Sequence, residues 1–188
     1  MGTVLSSAVV AALLVSLLNH ASLWIREEEK RRREVVGMLQ RARSAATMLL
    51  QALDVVSYDP NLSIGKRVHA LTEMMLSPEF TTATAGLNLE QAYRALERLD
   101  ANVRPLAENS AQLRAYANDS RTIQIVDPES GEENPDYDPE LDSRRHSYER
   151  AQSSITDKMK DDLLELRESV SDLQKTVPMR PRWWQAFQ

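Results

Sequence analysis

The side chains able to do chemistry in this chain are few, and their spacing does not gather them. The three histidines, His20, His69 and His146, lack the close pairing of a metal-ligating motif, so a zinc centre is not expected. The run SIGKRV holds the Gly65-Lys66 pair of a phosphate loop. Pro60, however, stands where the first glycine belongs, and Arg67 stands where a serine or threonine would meet magnesium. Carboxylates such as Glu90, Glu97 and Asp100 recur beside arginines, Glu90 four residues before Arg94, in the pattern of a solvated helix face with weak ion pairs. Asp136, Asp138, Glu140 and Asp142 alternate without the loop glycine and ligand order of a calcium-binding EF-hand. There is no nucleophile elbow, no HExxH and no dinucleotide glycine pattern, and the absence of cysteine removes thiolate chemistry. The expectation is a non-enzymatic protein with no catalytic residue, no cofactor, no metal site and no small-molecule substrate.

What remains is the chemistry of surfaces. Val4 to Ile25 form an uncharged run of 22 residues. As a helix it reaches about 33 Å, against a bilayer hydrocarbon core of about 30 Å. Immediately after it come Arg26, Lys30, Arg31, Arg32 and Arg33, interleaved with Glu27, Glu28 and Glu29. The positively charged leader of a secretory signal peptide is missing, so the run reads as a permanent transmembrane anchor. Trp24 falls at the interface depth that suits an amphipathic ring, and the basic block predicts that the body following it is cytoplasmic and the N-terminus outside. The basic side chains also suit an anionic leaflet. Asn19 and His20 are polar exceptions within about two turns of the cytoplasmic end, close enough to reach headgroups or water. The second surface is the tail, where Arg180, Arg182, Trp183, Trp184 and Phe187 combine charge with large rings, as in a membrane interface or a protein hot spot. Covering the end of the helical body is the plainer reading of the same rings.

The elements that must carry these surfaces are helical. Few glycines and sparse aromatics argue against sandwiches and barrels. The expected class is all-α: an N-terminal transmembrane helix continuing into an antiparallel helical bundle or coiled coil with an acidic loop. Its parts are an anchor over 1–25, a stalk and bundle helices over 26–126, an acidic loop over 127–142, a long helix over 143–177 and a basic-aromatic tail over 178–188. Val35, Leu39, Ala42, Ala46, Leu49, Leu53 and Val56 alternate steps of four and three, which predicts one buried seam continuing the anchor helix. Ser63 is the expected cap of a short helix with Ile64, Val68, Leu71 and Met75 on one face, and PEFTTATAG is expected to be a polar loop closed by Gly86. Asn88 and Gln91 suggest a capping box for a helix carrying Leu89, Ala92, Leu96, Leu99, Val103, Leu106, Ser110, Leu113 and Ala117. Pro105 should kink or split that helix near Arg104. TIQIV, 122 to 126, has the character of extended chain. Asp138-Pro139 is a competent start for the last helix, whose stripe runs from Leu141 through Tyr148, Ile155, Met159, Leu163, Leu166, Val170 and Leu173 to Val177. Two successive four-residue steps from Ile155 to Leu163 resemble a stutter.

The chain of 188 residues accommodates one body and one anchor, and its net charge of -5 argues against a surface that tracks nucleic-acid phosphates. The partners expected are therefore the lipid bilayer and either another protein or further copies of this chain, with a cytoplasmic helical body acting as scaffold, adaptor or assembly subunit. In layout the chain resembles membrane-tethered coiled-coil proteins of the bacterial cell-division type, although no motif assigns it to a family. The alternative is an extracytoplasmic bundle, acting as a sensor or in the manner of a spanin. On that face the sequons at Asn61 and Asn118 would matter if the host were a eukaryote.

Overall fold

In the computed structural model of the chain, residues 7–55, 64–118 and 137–177 are described, and every element among them is an α-helix. They are α1 (Ser7–Val55), α2 (Ile64–Leu76), α3 (Pro78–Ala83), α4 (Glu90–Asn118) and α5 (Pro139–Thr176). Val56, Ser63, the 122–126 run, the acidic stretch as far as residue 136 and the 178–188 tail lie outside the described residues.

The first helix carries the main expectation. Between Ser7 and Val55 there is no proline and a single glycine, and the remainder is rich in leucine, alanine, glutamate and arginine, which cost little in a helix. It is continuous for 49 residues, about 74 Å at 1.5 Å per residue. The anticipated seam is buried from Val35 through Leu39, Ala42, Ala46 and Leu49 to Leu53. In α2 the buried residues are the four expected, Ile64, Val68, Leu71 and Met75.

Three local expectations are corrected. The stretch PEFTTATAG is not all loop: Ser77 accepts a hydrogen bond from the Phe80 amide at 3.2 Å, Pro78 occupies the first turn, and the short α3 buries Phe80 completely. A serine followed by proline is itself a helix start. The turn then closes at Gly86, whose φ of +91° favours a residue without a Cβ. Pro105 does not split α4, which is one helix from Glu90 to Asn118. Pro105 is exposed, so water can satisfy the carbonyl its ring leaves unbonded. At the last helix, Asp138 accepts from the amides of Glu140 at 2.8 Å and Leu141 at 3.3 Å, so α5 starts at Asp138-Pro139 as expected, and the boundary drawn at residue 143 moves back to Pro139. The Asn88 cap is present in half: its side chain accepts from the Glu90 amide at 3.2 Å.

Side-chain contacts fix the directions of the helices. Arg98 meets Asp162, Ser110 meets Gln152, and the rings of Tyr116 and Tyr148 lie 5.9 Å apart, so α4 and α5 run antiparallel along their length. Gly65 approaches Val103, and the Tyr93 hydroxyl donates to the Met75 carbonyl at 3.3 Å, so α2 is antiparallel to α4. Lys160 reaches Asp54 at the end of α1 with a separation of 2.6 Å. Because α3, beyond the far end of α2, also packs on α1, the buried part of α1 must run back from Asp54 alongside residues 160–177 of α5. The one core joins Val35 to Leu53, α2, Phe80, Leu89 to Leu106 and Met159 to Val170. Outside it, the seam of α4 and α5 continues with half-buried Ser110, Leu113 and Tyr148, since only two helices meet there.

Candidate functional site

The residues singled out for membrane contact lie where α1 leaves the core. Below them Val35 is buried; above them Leu13, Leu14, Val15, Leu17, Leu18 and Leu23 are all more than half exposed. These six point around the whole helix, so no single neighbour could cover them. Leaving such side chains in water forgoes roughly 1.5–3 kcal/mol each, on the order of 10 kcal/mol in sum. Among the described residues α1 is the single helix long and apolar enough to cross a membrane, and none of its most apolar window is buried.

Arg26, Lys30, Arg31 and Arg33 are exposed; Arg26, Lys30 and Arg33, at steps of four and three, share one face of the helix, and Arg33 holds Glu29 at 3.5 Å. Both side chains are open to solvent, so the pair adds little to stability. Arg32 differs. Its side chain is only 12 % exposed, and its Nε lies 3.5 Å from Glu28 without a hydrogen bond. Trp24 is half-buried, with Ile25 and Glu28. Ala21, four residues before the end of the apolar run at Ile25, is 9 % exposed. Ala21, Trp24, Ile25, Glu28 and Arg32 continue the stripe of α1 beyond Val35 at helical spacing, where glutamate and arginine replace the apolar residues that mark the stripe in the sequence.

Asn19 and His20 are exposed, and the Asn19 carbonyl accepts from Ser22. Arg180, Arg182, Trp183, Trp184 and Phe187 lie outside the described residues. The carboxylates resemble a solvated face as anticipated: Arg94 pairs with Glu90, both exposed. One ion pair has a different character. Asp162 is 8 % exposed and accepts from the Arg98 Nε at 2.7 Å, while the same guanidinium reaches Glu165. Hydrogen bonding to Asp162 holds the Arg98 guanidinium more firmly protonated than usual. This cluster ties α4 to α5; being 64 residues apart in the chain, its two ends have no local signal.

Among the described residues no three histidine, cysteine or acidic side chains cluster as metal ligands. His69 meets only Glu73, and His146 lies between Glu149 at 2.9 Å and Asp142 at 3.6 Å on the open outer face of α5. No protein-family model matches the chain, and neither a curated protein nor a solved structure shows significant similarity to it.

Proposed function

We propose that the protein is a single-pass membrane-anchored scaffold, adaptor or assembly subunit, without enzymatic activity, whose helices form an antiparallel bundle on the cytoplasmic side. The observation that supports this most directly is the continuity of α1: one helix is exposed and apolar over its first half, basic at the junction and buried in the helical body over its second. A rigid continuous helix transmits position and orientation from bilayer to body without a flexible linker, as a scaffold requires. The basic block favours the N-out orientation. Beyond the core, the two-helix end of α4 and α5 offers a half-buried polar seam suited to a protein partner or a second copy.

The test uses the absence of cysteine. In Ser130→Cys, a membrane-impermeant maleimide should label the protein only after the cells of the native host are opened. Labelling of intact cells would sink the cytoplasmic reading and favour an extracytoplasmic sensor or spanin-like protein.

A further inference from the structure

The side of α1 turned away from the core has a composition of its own. Asn19, Ser22, Arg26, Lys30 and Arg33 follow one another at steps of three, four, four and three, and all five are exposed. On a helix of about 3.6 residues per turn they fall within about 80° of one another, and the buried seam from Val35 to Leu53 is centred roughly 180° away. The described helices therefore hang on the other side of α1 and leave this arc open. Gly37 continues it toward the body, where an added Cβ would meet nothing within 4 Å.

Charge is sorted around the same helix. Glu28 lies on the covered side beside Arg32, Glu29 holds Arg33 at the edge of the arc, and Glu27 and Glu34 fall outside it. Among the described residues no carboxylate pairs with Arg26 or Lys30, so the arc presents two uncompensated cations. Above them it stays polar. Leu13, Leu14, Leu17, Leu18 and Leu23 all fall outside the arc, which holds Ser22 and Asn19 instead. The Ser22 hydroxyl donates to the Asn19 carbonyl at 2.8 Å, and among the described residues the Asn19 carboxamide has no hydrogen-bond partner. A polar group left unpaired at the edge of hydrocarbon is costly, so it must find an acceptor beside the helix.

From this arrangement we propose that the outer face of α1 binds an anionic phospholipid of the cytoplasmic leaflet, its phosphate against Arg26 and Lys30 and an acyl ester carbonyl accepting from Asn19. Asn19 and Arg26 lie two turns apart, about 10 Å, a span that a phosphoglycerol covers with a hydrogen bond at either end. A second copy laid on the same face would set Arg26, Lys30 and Arg33 against their own equivalents, and like charges repel. A phosphate offsets them. A lipid held on one side fixes the rotation of α1 about its axis, and with it the side on which the body hangs.

The site rests on α1 crossing the bilayer, and the experiment separates the two. Carbonate extraction of membranes holding the full chain reads the anchor. Native mass spectrometry of the full chain in detergent micelles, with phosphatidylglycerol or phosphatidylcholine added, reads the site. One phosphatidylglycerol retained per chain, in preference to phosphatidylcholine, is the expected result. Arg26→Gln and Lys30→Gln should each lower that retention about fivefold. Arg31→Gln, the same loss of charge on another side of the helix, should leave it unchanged, and Asn19→Leu should weaken it with no change of charge. These side chains are exposed and outside the core, so the fold is not at stake. Equal losses in Arg31→Gln and Arg26→Gln, or full retention by Asn19→Leu, would show that only diffuse charge holds the lipid. No retained phosphatidylglycerol, or a dimer free of lipid, would leave the face bare or give it to a second copy. Each of these overturns the lipid site and leaves the anchor standing; release of the protein in carbonate overturns both.

Discussion

Asp162 shows how much one side chain depends on its surroundings. On α5 it is one acid among many, but it is nearly sealed from solvent, and its charge is offset by Arg98 from α4. Removing the arginine leaves a buried carboxylate without its cation, the arrangement that destabilises most. Arg98→Met should therefore lower the thermal midpoint clearly more than Arg94→Met, whose partner Glu90 is exposed. Equal effects in thermal melts followed by circular dichroism would show the buried pair to be no different from a surface one. Leu163, fully buried between α4 and α1, gives a second measure: Leu163→Ala should cost about 2–5 kcal/mol in urea unfolding through lost transfer energy and the cavity left behind. Tyr93 links α4 to the end of α2 by one hydrogen bond, so Tyr93→Phe should cost about 0.5–1.5 kcal/mol. Burial also pushes the Tyr93 phenol above its ordinary pKa. Its contribution is therefore complete below the unfolded value and is lost as the pH rises through the folded one, so that Tyr93→Phe should remove part of the alkaline destabilisation.

The packing of whole helices depends on small residues where backbones come close. A Cβ built on Gly65 would stand 3.0 Å from Val103, tighter than ordinary contact, so α2 lies against α4 because that position has no side chain. Gly65→Leu should push α2 away from α4, seen as earlier amide exchange across Ile64 to Leu76 while the distal part of α4 and α5 is unaffected. Protection that matches the wild type would show that α2 is held by α1 alone. The heptad stripes of α1, α2, α4 and α5 were readable because a helix that buries one face repeats apolar residues every three or four positions. Helix α3 was not, since six residues are too short to show a period and its Ser77-Pro78 start lies in a polar stretch. Val56, the last position of the α1 stripe, and Ser63, the expected cap of α2, fall outside the described residues.

For the molecule as a whole, the order along its axis is apolar helix, basic block, buried core and two-helix end. The seam of that end should close within one chain. Cysteines replacing Ser110 and Gln152, whose side chains meet at 3.0 Å, should be joined by a short bis-maleimide in a product of monomer mobility. A dimer band instead would place the two helices in different chains and favour an assembly subunit over a self-contained body.

Residue order alone determined that the chain is helical and that its first helix begins in apolar sequence and ends in a core. Those conclusions rest on composition and local periodicity, which act over a few turns. The direction in which α5 returns has no local signal, because it depends on whether the short helix over Ile64 to Leu76 reverses the chain. Only tertiary contacts decided it: Lys160 with Asp54, Arg98 with Asp162, Gly65 against Val103. The burial of Arg32 and Ala21 belongs with them, since a side chain's exposure is set by what the rest of the chain lays over it and not by its own neighbours in sequence.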